Sequence, residues 1–170
     1  MISTATTNDV PALITLVNSS YRGEASKKGW MTEADLLDGI RTDETALHEI
    51  LLKPGPVILK YSDEAGALHG CVYLEKQKNQ LYLGMLTVAP PLQNSGIGKK
   101  LLAAAERHAQ ENGCIAIVMS VISMRQELIS WYERHGYRQT GATKPFPMHD
   151  PRFGLPKQQL EFLILEKQLS

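Results

Sequence analysis

The 170-residue chain lacks most of the features that would place it in a special class. It has only two cysteines, Cys71 and Cys114. Two thiols do not make a disulfide framework, and neither sits in metal-ligand spacing. Both lie among apolar neighbours, so buried core thiols and no metal site are expected. No charge is in excess, since Lys plus Arg and Asp plus Glu number 18 each. That balance argues against nucleic acid or an anionic membrane as the main partner. No apolar run approaches the ~20 residues of a membrane-spanning helix. The N-terminal residues show no basic region followed by an apolar stretch, so no signal peptide is expected. Internal repeats, low-complexity tracts and long linkers are missing as well. The expectation is a single domain over residues 1–170, with a reducing cytoplasm as the default compartment.

What is present is the alternation of an α/β protein. Hydrophobic residues make up 43% and charged residues 21%, and a chain of this length buries roughly 70% of its unfolded surface. Thr7, Asn8 and Asp9 before Pro11 form a helix start. Ala12, Leu13, Leu16 and Val17 continue it as an apolar stripe. A second helix is predicted to open at residues 32–35, whose first turn is acidic, and to continue through residues 42–52. Strands are predicted at 57–61, 68–76 and 81–88. A long amphipathic helix follows over 96–112, with Ile97, Leu101, Leu102, Ala105 and Ala109 on one face. Gly113 is its left-handed stop. Residues 115–121 read as a buried strand of parallel type, and 125–135 as a helix ended by Gly136. Strands at 137–143 and 160–167 close the chain around a Pro-rich loop, 144–156. Strand–helix–strand–helix–strand in this half implies parallel pairing.

The strongest single feature is the junction Gln93-Asn94-Ser95-Gly96-Ile97-Gly98-Lys99 between a strand and the long helix. A helix N-terminus leaves its first N–H groups unpaired and partly positive, and a diphosphate accepts several of them at once. Glycines at 96 and 98 allow close backbone approach. Gln93 and Asn94 add neutral donors, and Lys99 or Lys100 adds charge. A Walker A loop would need Gly at 93 and Ser or Thr at 100, where Gln93 and Lys100 stand. A dinucleotide fingerprint would need Gly at 101, where Leu101 stands. By itself the loop supports anion binding at a helix start.

A second stretch narrows the reading. Gln93-Asn94-Ser95-Gly96-Ile97-Gly98 matches the Gln/Arg-x-x-Gly-x-Gly/Ala motif of the GCN5-related N-acetyltransferases, the GNAT family. Downstream, residues 128–137 end in Tyr132-Glu133-Arg134-His135-Gly136-Tyr137, which resembles that family's second signature. The two stand in the right order, one helix and one strand apart. The resemblance covers residues 68–143 firmly. It implies a mixed, twisted sheet of six to seven strands flanked by about four helices, with two central strands, 81–88 and 115–121, splayed apart. It also implies acetyl-CoA as acetyl donor, with no metal. The pantetheine arm is then expected on the backbone of Leu86, Thr87 and Val88, and the pyrophosphate on Gln93, Asn94, Ser95, Gly96, Ile97, Gly98 and Lys99. Arg125 stands where the family often has an Asn against the pantetheine arm. Its own role is a phosphate, a substrate carboxylate or a helix cap.

The implied reaction is direct attack of a primary amine on the thioester in a ternary complex. The amine must first be neutral, and a free alkylamine has a pKa near about 10.4. The resemblance makes Tyr132 the general acid toward the leaving thiolate. Many family members carry a Glu before the pyrophosphate loop, but residues 82–86 contain no carboxylate. Glu75, on the preceding strand, is the first candidate base. A solvent-exposed edge carboxylate is its bland alternative, and His149, Asp150 or a water chain are the others. The acceptor is expected between the first helix–loop–helix and the last strands, among Tyr21, Arg22, Trp30, Phe146 and His149. A small-molecule amine is the first reading. A protein or peptide amine and a non-catalytic CoA-binding module remain alternatives, and a homodimer is compatible with all three.

Overall fold

Helix α1 (Val10–Tyr21) is prepared by a 3-10 turn over Thr7–Asp9. The Thr6 N–H donates to the Asp9 carboxylate at 2.8 Å, satisfying one of the donors a helix start leaves open. Leu13, Leu16 and Val17 of the predicted stripe are buried, while Ala12 is exposed. The computed structural model describes residues 1–21, 37–38, 42–146, 155–157 and 159–169. Around α1 run strand β1 (Ile2–Thr4), β2 (Leu37–Asp38), helix α2 (Glu44–Leu52), β3 (Val57–Ser62), β4 (Leu68–Gln77), β5 (Gln80–Val88), helix α3 (Ile97–Glu111), β6 (Ala116–Ile122), helix α4 (Gln126–Arg134), β7 (Arg138–Pro145), β8 (Leu155–Pro156) and β9 (Glu161–Gln168).

Seven strands form one mixed sheet in the order β1-β3-β4-β5-β6-β9-β7. This is the α/β architecture the sequence implied, with strands β1 and β3 to β5 antiparallel and β5 parallel to β6. Two thin layers of helix cover it. Even-numbered residues of β4 face α3: a Cβ on Gly70 would lie 3.0 Å from Ile97 Cγ2 and 3.1 Å from Leu101 Cδ1. Glycine there lets the long helix sit close to the sheet. Odd-numbered β4 residues face the other way, where Lys53 Nζ, just past α2, reaches Glu75 at 3.9 Å. All five residues of the predicted α3 face are buried, and Gly113 and Gly136 take φ +72 and +94 at the helix ends. Cys71 and Cys114 are both buried thiols outside any disulfide, as expected.

Several expectations need correction. The second helix begins only at Glu44, with Asp43 accepting the Ala46 N–H at 2.8 Å. Ahead of it Leu37–Asp38 is extended and pairs antiparallel with Leu155–Pro156 in a small ribbon of its own. Residues 32–35 fall outside the described segments. Strand β1 was not foreseen, since three residues with two exposed carry too little alternation to show. Strand β7 does not pair with β6. The last strand, β9, lies between them, antiparallel to both. A crossover pattern in sequence fixes direction, and a later strand can still take the middle place.

The central break is the feature that matters for function. Strands β5 and β6 share three residue pairs, Gln80 with Ala116, Leu81 with Ile117 and Tyr82 with Val118. Beyond these they part, as the resemblance implied. On its other side β5 carries a bulge: Cys71 opposes Thr87 and Tyr73 opposes Gly84, so Val72 faces both Met85 and Leu86. Met85 takes φ +51, rare for a side chain of its size. The extra residue bends β5 away from β6 where the gap opens.

Candidate active site

Two cavities meet at the parted strands. The first, of about 230 Å³, is lined by Tyr21 of α1, residues 82–86 of β5, residues 119–122 of β6, Arg125, Leu128 and Tyr132 of the α4 region, and Lys144, Phe146 and Phe162 of the last strands. The second, of about 240 Å³, is lined by Leu86, Val88, Gln93, Asn94, Gly96, Gly98, Lys99, Trp131 and His135. Leu86 belongs to both and forms the wall between them.

The second cavity is built by the loop into α3. Gly96 is the N-cap residue at φ +90, and an added Cβ would touch nothing within 4 Å. Glycine is needed there for backbone conformation. Gly98 differs: its Cβ would lie 3.1 Å from Trp131 Cζ2 and 3.3 Å from Cη2. The close approach that excludes a side chain at 98 is to an indole ring. Asn94 also takes a positive φ, +71. The first intrahelical bond runs from the Lys100 N–H to the Gly96 carbonyl at 3.1 Å, and no side chain caps the turn. The N–H groups of Ile97, Gly98 and Lys99 therefore have no partner inside the helix, which suits a diphosphate. Gln93 lines the cavity, and its Nε2 donates to the Val88 carbonyl at 2.9 Å and ties the loop to β5. The exposed Ser95 hydroxyl donates to the Leu92 carbonyl, and Ile97 is a core residue; neither lines the cavity.

The first cavity holds Tyr132. Its ring is 4% exposed and meets Trp131 and Tyr137 edge-on, with centroids 5.2 and 5.6 Å away. Burial above all, then the neighbouring Tyr21 and Tyr137, raises the Tyr132 phenol well above its ordinary value, against a smaller opposing pull from Arg125. The group keeps its proton at neutral pH. Tyr21 donates its hydroxyl to the Leu86 carbonyl, and the Arg125 guanidinium lies over the Tyr21 ring, 5.6 Å from its centroid. Arg125, 8% exposed, lines this cavity rather than the loop cavity. Thr87 lines neither: it is fully buried and its hydroxyl donates to the Met85 carbonyl at 2.9 Å.

Glu75 is set apart from both cavities. It is held by Lys53 and by Gln77, whose Nε2 donates at 3.2 Å. Burial first, then the neighbouring Glu75 carboxylate, drives the Tyr73 phenol upward. Its connection to the first cavity is its cross-strand partner Tyr82, which lines that cavity. Of the expected acceptor set, Tyr21 and Phe146 line the first cavity, while Arg22, Trp30 and His149 lie outside the described residues. Sequence reasoning missed Tyr82, Lys144 and Phe162 as lining residues, and Trp131 and His135 as walls of the loop cavity. The last two stood inside the second motif, but a helix period alone does not say which turn meets the loop.

The family model described as Acetyltransferase (GNAT) family matches residues 16–137. Acetyltransferase Atu2258 of Agrobacterium fabrum is 34% identical over 65 residues, which span 38% of this chain and 46% of that protein. Among solved structures, ribosomal-protein-alanine N-acetyltransferase from Brucella melitensis superposes with TM-score 0.73 at 21% identity, covering 99% of each chain. The PaiA N-acetyltransferase from Thermoplasma acidophilum, in complex with coenzyme A, gives TM-score 0.71 at 19% identity, covering 99% of this chain and 98% of that one. With the family's model matching well over half of its length, and with a parted central strand pair and a glycine-built helix start in the expected places, this chain belongs to the acetyltransferase (GNAT) family.

Proposed function

We propose that the protein transfers an acetyl group from acetyl-CoA to the primary amine of a small molecule. The observation that carries this reading is the pair of cavities sharing Leu86. One offers uncapped N–H groups at a helix start, fit for a pyrophosphate. The other offers a buried phenol and an apolar floor. The thioester would lie at their junction, near the backbone of Leu86 to Val88, with the amine entering past Tyr21 and Phe146. Membership of the family, and a structural neighbour in complex with coenzyme A, support the choice of donor.

The chemistry asks for few groups. The nitrogen lone pair attacks the acetyl carbonyl, the carbon–sulfur bond breaks, and the net proton passes from nitrogen to sulfur. A thiol titrates near about 8.5 and an ordinary phenol near about 10. The burial-raised Tyr132 therefore holds its proton too tightly for full transfer to be easy, and it works best as a hydrogen-bond donor to the departing sulfur. No Asp, Glu or His is among the described lining residues of the first cavity. The Lys144 ammonium on its lining disfavours a second ammonium there and so helps the acceptor shed its proton. Glu75 would take that proton through Tyr82 or water. The cavity's size, below the ~300–1,000 Å³ usual for ligand pockets, favours a small molecule over a peptide.

Thermal denaturation with acetyl-CoA is the test. At a hundred times the dissociation constant the ligand should add about 2.7 kcal/mol. With an unfolding entropy of roughly 0.36 kcal/mol/K for a chain of this size, that is a rise of about 7.5 °C. Thiol release should follow when an acceptor amine is added. No shift at millimolar acetyl-CoA would remove the donor assignment.

A further inference from the structure

The charge of the first cavity points to the acceptor's class. This step rests on reading that cavity as the acceptor pocket. Lys144 lies near the end of β7, exposed, with its side chain on the cavity rim. Its ammonium makes no hydrogen bond or ion pair among the described residues. Arg125, 8% exposed, also lines the cavity and lies over the Tyr21 ring. Asp and Glu are missing from the described lining residues. The rest of the lining is mostly apolar, with Met85, Leu86, Met119 and Leu128 among it; Phe146 and Phe162 pack with centroids 5.1 Å apart, and Ser120 and Tyr82 add hydroxyls.

Such a pocket selects by sign. A polyamine or a poly-cationic sugar would bring further positive charge toward Lys144. A molecule carrying both an amine and a carboxylate would bring the opposite charge to Lys144, and charge-assisted hydrogen bonds to an ammonium are among the stronger ones. The anion would also anchor the molecule at the rim while its amine reaches inward toward Leu86 and Tyr132. We propose that the acceptor is a small amine bearing a carboxylate, of amino-acid type, and that Lys144 is the residue that selects it by pairing with that carboxylate.

The test is a matched panel assayed with acetyl-CoA by thiol release. It holds the common amino acids, their amides, their decarboxylated amines, and spermidine. In the unaltered protein the best acid should exceed its own amide and decarboxylated amine by at least tenfold in kcat/KM. Lys144→Glu should lower kcat/KM for that acid at least tenfold, chiefly through KM, and raise it for spermidine. Lys144→Gln should fall between. Thermal shift of the CoA-loaded protein by the same panel gives a readout independent of turnover. Spermidine or neutral amines outranking every acid would overturn the proposal. So would equal loss for acid and amide in Lys144→Glu, or the lack of any acid that stabilises the CoA-loaded protein. An acetyl-CoA shift that persists through these outcomes sinks only the acceptor class; its loss sinks the donor reading.

Discussion

Replacing Gly98 by Ala tests what the second glycine of the loop is for. Were it there only to admit phosphate, the unliganded protein would tolerate alanine. The structure instead sets a Cβ at 98 against the Trp131 ring, 3.1 Å from Cζ2. The ring belongs to α4, is wedged beside Tyr132 and stacks on His135 at 4.3 Å, so it has little room to yield. Overpacking of this kind costs about 1–3 kcal/mol. Divided by roughly 0.36 kcal/mol/K for 170 residues, that is a fall in Tm of about 3–8 °C without ligand. Gly96→Ala should cost a similar ~1–2 kcal/mol, but from backbone strain at φ +90 and not from contact. Urea denaturation of each variant in a Trp131→Phe background separates the two causes. Trimming the indole should relieve Gly98→Ala, giving an interaction energy of about 1 kcal/mol or more. Gly96→Ala should add to Trp131→Phe within about 0.5 kcal/mol. Strict additivity at 98 would refute the contact argument.

Tyr132→Phe should lower kcat at least tenfold while the acetyl-CoA thermal shift stays intact, since the change removes one hydroxyl from the first cavity and nothing from the loop; unchanged turnover would end its role at the sulfur. Tyr137 predicts an alkaline limit to stability. Its hydroxyl is buried with no hydrogen-bond partner, and burial, then Glu106, raise its phenol above the ordinary value. The folded state then keeps a proton that the unfolded state releases above about pH 10, so stability is full below that pH and falls by about 1.4 kcal/mol per pH unit beyond it. Tyr137→Phe should remove that share of the slope and, by deleting an unpartnered polar atom, match or exceed the unaltered stability at pH 7 by up to about 1 kcal/mol; chemical denaturation at pH 7, 10 and 11 reads both.

The sequence carried the fold where period and punctuation agreed. Helix α3 is legible because five apolar residues recur on one face between two glycines, and its buried set is the predicted one. The loop and the Tyr132 motif were legible as types, because the chemistry restricts which residues can stand there. Three things were not. The place of β9 between β6 and β7 depends on pairing across the whole second half, which no local pattern records. The bulge at Met85 depends on a count of residues in two strands at once. Lys144 looked like the start of a loop, and only the turn of β7 beside β9 brings it to the cavity rim.

The parting of β5 from β6 has a consequence for the whole molecule. Most sheets keep their unsatisfied backbone at the outer strands, where short length or charge guards it. Here the pairing also stops in the middle of the sheet, where residues 83–88 of β5 and 119–122 share no ladder and side chains such as Tyr21 and Gln93 take up carbonyls of β5 instead. The halves β1-β3-β4-β5 and β6-β9-β7 are stitched by three residue pairs at one end, like the spine of an open book. Whatever slides between the pages supplies the missing strand. On the proposed reading, donor binding and completion of the sheet are one event.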